Sequence, residues 1–187
     1  GHVESFSLFT QDLEQWIEAR TQAGVMPQSA TLLGHSLGGL IVLDALRNSA
    51  PIATFFDRAV VSAPLLKLKL EVPWYKSAPS RLLSKVFPKL QMSSELNAVG
   101  LSSLESVQKR YLQDPLVHSK VTPRFFVELQ QRLQSWSTCT QALPIPTLFL
   151  IPMADPIVDP NGALALFSRV HRTGVDRLRT WPDFRHE

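Results

Sequence analysis

Residues 34–39 read Gly-His-Ser-Leu-Gly-Gly, placing Ser36 between two glycines in a G-x-S-x-G pattern. An apolar run, Thr31-Leu32-Leu33, leads into it, and a second, Leu40-Ile41-Val42-Leu43, leads out. A serine becomes a nucleophile when a strained strand-to-helix turn lifts its hydroxyl above a sheet. Glycines flanking such a turn remove side chains that would collide with neighbouring backbone. The N-terminus of the following helix then faces the charge that develops on an attacked carbonyl, and the backbone N–H of Leu37 is one oxyanion donor. The bland alternative is a glycine-rich turn whose serine only caps the helix.

A serine nucleophile needs a base, and the base needs an acid to orient it. For an elbow of this kind the chain order is serine, then Asp or Glu, then His. Among the five histidines, His35 sits inside the elbow and is expected to point elsewhere, while His2 and His118 precede any suitable acid. His171 falls at the end of a helical stretch. His186, after the loop Pro182-Asp183-Phe184-Arg185, is the expected base. Asp155 is the expected acid, because it follows the apolar segment PTLFLI at the carboxyl end of a strand, where sites on open α/β sheets assemble. Asp159, beside Pro160, fits a helix-start role equally well.

Elements that could position these residues are legible on both sides of a changed middle. Phe6, Phe9, Leu13, Trp16 and Ile17 recur at helical steps, and that helix ends near Gly24 with Pro27 beyond. A strand over 30–34, a helix over 37–47 and a strand over 58–63 make a parallel crossover unit. A strand over 146–151, a helix over 162–170 and a strand over 177–181 repeat the pattern. The expected organisation is a core over 1–66 with the elbow, a helical insertion over 67–140 and a core over 141–187 with the acid and histidine loops. In the insertion, Pro73, Pro79, Pro88, Pro115 and Pro123 interrupt short helical pieces, and no strand pattern is evident.

Composition removes several classes. With 44% hydrophobic and 19% charged residues in 187, the chain is globular in composition. No apolar run approaches the roughly eighteen residues of a membrane span. A net charge of +3 gives no argument for nucleic acid. The lone Cys139 excludes an internal disulfide framework and a cysteine-built zinc site, and it fits the cytosol.

The positive charge is local: Lys67, Lys69, Lys76, Arg81, Lys85 and Lys89 face one acid, Glu71, across 66–90. Leu82, Leu83, Val86, Phe87 and Leu90 fall on one helical face, with Pro79-Ser80 as a start, Pro88 as an early stop and Trp74-Tyr75 upstream. A basic amphipathic piece favours an anionic lipid surface. The alternative is a helix packing its apolar face on the core.

Six segments carry a resemblance: GHVESF (1–6), GHSLGG (34–39), VSAPLL (61–66), DPLVHSKVTPRF (114–125), DPIVDP (155–160) and WPDFRHE (181–187). Together they resemble the monoacylglycerol lipase and lysophospholipase branch of the α/β-hydrolases, a serine aminopeptidase-like family. The resemblance implies an α/β-hydrolase fold with a mostly parallel sheet and a helical lid. It implies Ser36 as nucleophile, Asp155 as acid, His186 as base, and an acyl-lipid substrate with no metal or organic cofactor. It also implies a cytoplasmic or peripherally membrane-associated protein. Pro152, Met153 and Asp183 stand where family members often carry glycine. The segments correspond to the carboxyl-side two-thirds of such an enzyme, so a chain of these 187 residues alone is expected to fold poorly or turn over weakly. A small-ester hydrolase, a peptidase and a non-catalytic lipid- or partner-binding protein are the rival readings.

Overall fold

The computed structural model describes residues 1–25, 29–69, 74–93 and 102–187, and of 74–79 the backbone only. Pro27, Glu71 and Pro73 lie outside the described residues, as do the side chains of Trp74, Tyr75 and Lys76. The central sheet has four strands, β1 (Thr31–His35), β2 (Arg58–Ser62), β5 (Thr147–Pro152) and β6 (Arg177–Trp181), in that spatial order. All three pairings are parallel, with Gly34 opposite Val61, Val61 opposite Phe149 and Ile151 opposite Thr180. Parallel neighbours need crossovers, and helices supply them. These are α2 (Leu37–Asn48) with the short α3 (Ala50–Phe55) between β1 and β2, and α7 (Pro160–Val170) between β5 and β6.

Alternation decides which way each strand faces. Leu32, Val61, Phe149 and Ile151 join Leu40 and Leu43 of α2 and Leu166 of α7 in one buried cluster, while Leu33 is 65% exposed on the other side. The helix α1 (Ser7–Gln22) adds Phe6 and Ile17 to the same cluster. Every expected core element is present, with bounds shifted by one or two residues.

The middle of the chain departs from expectation in three ways. The helix α4 (Trp74–Val86) begins before Pro79. Two short strands, β3 (Met92–Ser93) and β4 (Lys120–Val121), pair antiparallel where no strand was expected. Two-residue pairings leave no hydrophobic alternation to read. Finally, Pro123 starts a long helix instead of interrupting one: α6 (Pro123–Ser137) is capped by Thr122, whose hydroxyl accepts from the Phe125 N–H, with proline where its missing N–H costs nothing. The helix α5 (Glu105–Gln113) buries no residue.

Two of the resemblance-bearing segments meet in space. The His2 ring contacts the Thr122 hydroxyl at 2.9 Å, Arg124 donates to the Glu4 carbonyl at 2.6 Å, and the Phe6 N–H donates to Glu128 at 2.9 Å. The helix α6 is also tied to α2, where buried Asp44 pairs with Arg132 at 3.0 Å and Arg47 stacks on the Trp136 ring. Burial pushes the Asp44 carboxyl up, against the pull of Arg132 and Arg47.

Candidate active site

Ser36 occupies the turn between β1 and α2 with φ of 53° and ψ of −119°, a left-handed conformation that costs a non-glycine residue free energy. Backbone hydrogen bonds hold it there. The Ser36 N–H donates to the Ser62 carbonyl at 2.9 Å, and the Ser36 carbonyl accepts from Leu65 at 2.9 Å and Leu40 at 3.2 Å. The turn is closed by close packing at Gly34, where an added Cβ would lie 2.3 Å from the Gly38 carbonyl oxygen. Gly39 approaches Pro64, leaving a Cβ only 3.0 Å of room. Gly38 corrects the expectation that both pattern glycines relieve a collision: nothing lies within 4 Å of a Cβ there. Gly39, outside the pattern, does that work instead. Ala63, at φ 42°, is a second strained residue at the matching end of β2, with its N–H on the Leu150 carbonyl at 2.9 Å.

The Ser36 hydroxyl lies 2.9 Å from Nε2 of His186, and His186 Nδ1 lies 2.6 Å from Oδ2 of Asp155. Asp155 is buried, and its other oxygen accepts from the Ile157 and Val158 N–H groups at 2.8 and 3.0 Å. Burial pushes its carboxyl up, but the hydrogen bonds from His186, Val158 and Ile157 outweigh that and hold it below the ordinary range. Asp155 therefore stays an anion facing one imidazole nitrogen, which leaves the other to accept from Ser36. The loops are fixed to each other: Met153 N–H donates to the Trp181 carbonyl, and Ala154 N–H to that of Phe184. Pro152, Met153 and Asp183 all have negative φ, so none of these positions requires glycine. Leu37 is the first residue of α2, where a backbone N–H has no intrahelical acceptor.

The other candidates lie elsewhere. Asp159 caps α7 through the Asn161 N–H and pairs with Lys67 at 2.7 Å. His171 ends α7, with Nδ1 3.0 Å from the Phe167 carbonyl. His118 is exposed, and His2 sits against Thr122 and Glu4. His35 differs from expectation, because its ring lies 4.8 Å from that of His186 instead of pointing away. Its Nδ1 faces the Ser62 hydroxyl at 3.3 Å, and burial, helped by the nearby His186, holds its pKa down. A strand-end residue one position before the turn was the only sequence signal for this contact. Among the described residues no group of three His, Cys, Asp or Glu side chains is placed to hold a metal. A cavity of about 670 Å³ between the start of the insertion, α4 and α6 includes none of the three residues in its walls, so hydrogen-bond geometry locates the chemistry here and cavity size does not.

The family model described as "Serine aminopeptidase, S33" matches residues 1–187. The chain belongs to this family. Phospholipase YtpA of Bacillus subtilis is 28% identical over 189 residues, spanning all of this chain and 70% of that protein. The solved monoacylglycerol lipase of Paleococcus ferrophilus superposes with a TM-score of 0.85 at 26% identity, covering 100% of this chain and 68% of that one. A soluble variant of the Saccharomyces cerevisiae monoglyceride lipase, solved with a substrate analog, shares the fold with a TM-score of 0.76 at 20% identity, over 97% of this chain and 60% of that one. This family member is a serine hydrolase of the lipase or esterase type, built on the α/β-hydrolase fold. No helix among its described residues is long and apolar enough to cross a membrane.

Proposed function

We propose that the protein releases a fatty acid from a monoacylglycerol or lysophospholipid by two-step acyl transfer. His186 Nε2 takes the proton of the Ser36 hydroxyl as the oxygen attacks the ester carbonyl, and Asp155 fixes the imidazole tautomer and steadies the imidazolium. The Leu37 N–H is one donor to the oxyanion. The glycerol or glycerophospho-alcohol leaves with the proton from His186, forming an acyl-Ser36. A water deprotonated by His186 then frees the acid and restores the serine. The relay Ser36–His186–Asp155, at 2.9 and 2.6 Å, carries this reading, and the lipase and phospholipase relatives direct it to acyl lipids.

The insertion supplies a second line of support. On α4, Ser80 and Ser84 are buried, whereas Leu82 is 66% exposed, and Val86, Phe87 and Leu90 beyond it are exposed as well. Ser80 and Ser84 thus face inward, while Leu82 and Val86 face out and Leu83 is half-buried. A face of this kind, with Arg81 and Lys85 beside it, suits docking on a lipid surface as a lid. The basic contribution is smaller than its residue count, because Lys67 and Lys69 are engaged by the acid loop and Lys89 lies 3.9 Å from Glu4. The test is fatty-acid release from a long-chain monoacylglycerol and from a lysophospholipid by the full-length protein, with Ser36→Ala beside it. Release lost in the variant supports the reading. Hydrolysis restricted to short soluble esters replaces it with a small-ester hydrolase, and failure of a fluorophosphonate to label Ser36 replaces it with a binding protein.

A further inference from the structure

The chain leaving β2 turns back along the acid loop before it reaches α4. Asp159 N–H donates to the Lys67 carbonyl at 2.8 Å and Lys69 N–H to the Ile157 carbonyl at 2.9 Å, with Leu68 facing Val158 as an antiparallel bridge. Two side chains fasten the same pair of segments. Lys67 Nζ reaches Asp159 at 2.7 Å, and Lys69 Nζ donates to the main-chain carbonyl of Asp155 at 3.0 Å. Gly162, at the start of α7, permits the contact, since an added Cβ would sit 2.7 Å from that of Lys67.

We infer that Lys69 is a positioning residue for Asp155, and that this clasp makes the acid loop depend on the segment leading into the insertion. Asp155 precedes Pro156, so the peptide that Lys69 binds has no N–H of its own to anchor it. The Asp155 side chain is held on one side by the Ile157 and Val158 amides. Lys69 fixes the opposite side of the same residue by a charge-assisted hydrogen bond. A displacement of the 65–69 segment therefore moves the peptide of Asp155, and with it the imidazole that must face Ser36. The clasp acts on the orientation of the acid and the imidazole, so the effect is expected on turnover and not on KM.

This inference rests on the triad reading above, and the experiment separates the two. Lys69→Met, Lys69→Arg and Gly162→Ala are compared with the parent full-length protein on a soluble short-chain ester. Amide exchange is followed at Ile157 and Val158, alongside labelling of Ser36 by a fluorophosphonate. Lys69→Met is expected to lower kcat about fivefold at unchanged KM and melting temperature and to speed exchange at both amides. Lys69→Arg restores both readouts, because it keeps a cationic donor, and Gly162→Ala behaves as Lys69→Met does. Parent-like kcat and exchange in Lys69→Met overturn the inference, as does failure of arginine to restore them. A parent protein whose Ser36 takes no label overturns the triad reading, while the exchange data still decide whether Lys69 holds the loop.

Discussion

The turn around Ser36 and the helix α4 use side chains in opposite ways. Around Ser36 the backbone is strained, every neighbouring strand end is hydrogen-bonded to another, and the packing leaves no room for one methyl group at Gly34. Over the described side chains of α4, Ser80 and Ser84 face inward while Leu82 and Val86 face out. The first region is over-determined, as a site must be if a strained serine is to persist. The second keeps apolar surface available, which costs stability in water unless another surface covers it. The difference teaches that the rigid turn and the exposed apolar face are built from separate parts of this chain, joined where residues 65–69 meet the acid loop.

Substitutions that break the rigid half carry the largest effects. Ser36→Ala is expected to reduce ester turnover by about 10⁶-fold with the melting temperature unchanged, measured by steady-state kinetics and calorimetry. Asp155→Asn keeps the shape but loses the tautomer control, lowering kcat about 10⁴-fold. Gly34→Ala forces a Cβ into the Gly38 carbonyl and is expected to cost about 2 kcal/mol or more in urea unfolding, far above a surface substitution.

Acidification probes the same half through its carboxylates. Asp155 and Asp176 are held below the ordinary aspartate value of 3.8; at Asp176 burial pushes up but hydrogen bonds from Arg172 and Thr147 outweigh it. Lowered folded values mean stability present above 3.8 and lost as pH falls through the folded values. The melting temperature should therefore drop on acidification below that point, and Asp176→Asn should flatten the drop. In the helical half, Leu82→Ser with Phe87→Ser should weaken vesicle binding several-fold, with stability moving by less than about 0.5 kcal/mol. Unchanged vesicle binding would end the docking role of that face.

Legibility followed the same division. The core strands and helices could be read because they bury a face at their own period, two along Arg58–Ser62 and near 3.6 along α7. Asp155 and His186 could be singled out by chain order and by their place after strands, and the structure brings both to Ser36. The inward position of Ser80 and Ser84 on α4 could not be read, because neither carries a hydrophobic signal, while Leu82, which does, faces out. The short β3–β4 pairing was equally silent, since two residues have no period.

By itself the sequence determined the serine turn, the strands that lead to the acid and histidine loops, and the order in which the three residues arrive. These depend on local periodicity, on glycine at a crowded turn and on chain order, all of which are written residue by residue. Only the tertiary structure decided that the His35 ring lies against that of His186, that Gly39 and not Gly38 makes room for the turn, and that Lys67 and Lys69 belong to the acid loop. Each of these is a contact between segments far apart in the chain or on different strand ends. Which side chains meet there is settled by strand register and by the path of a connecting segment, and neither leaves a mark at any one position.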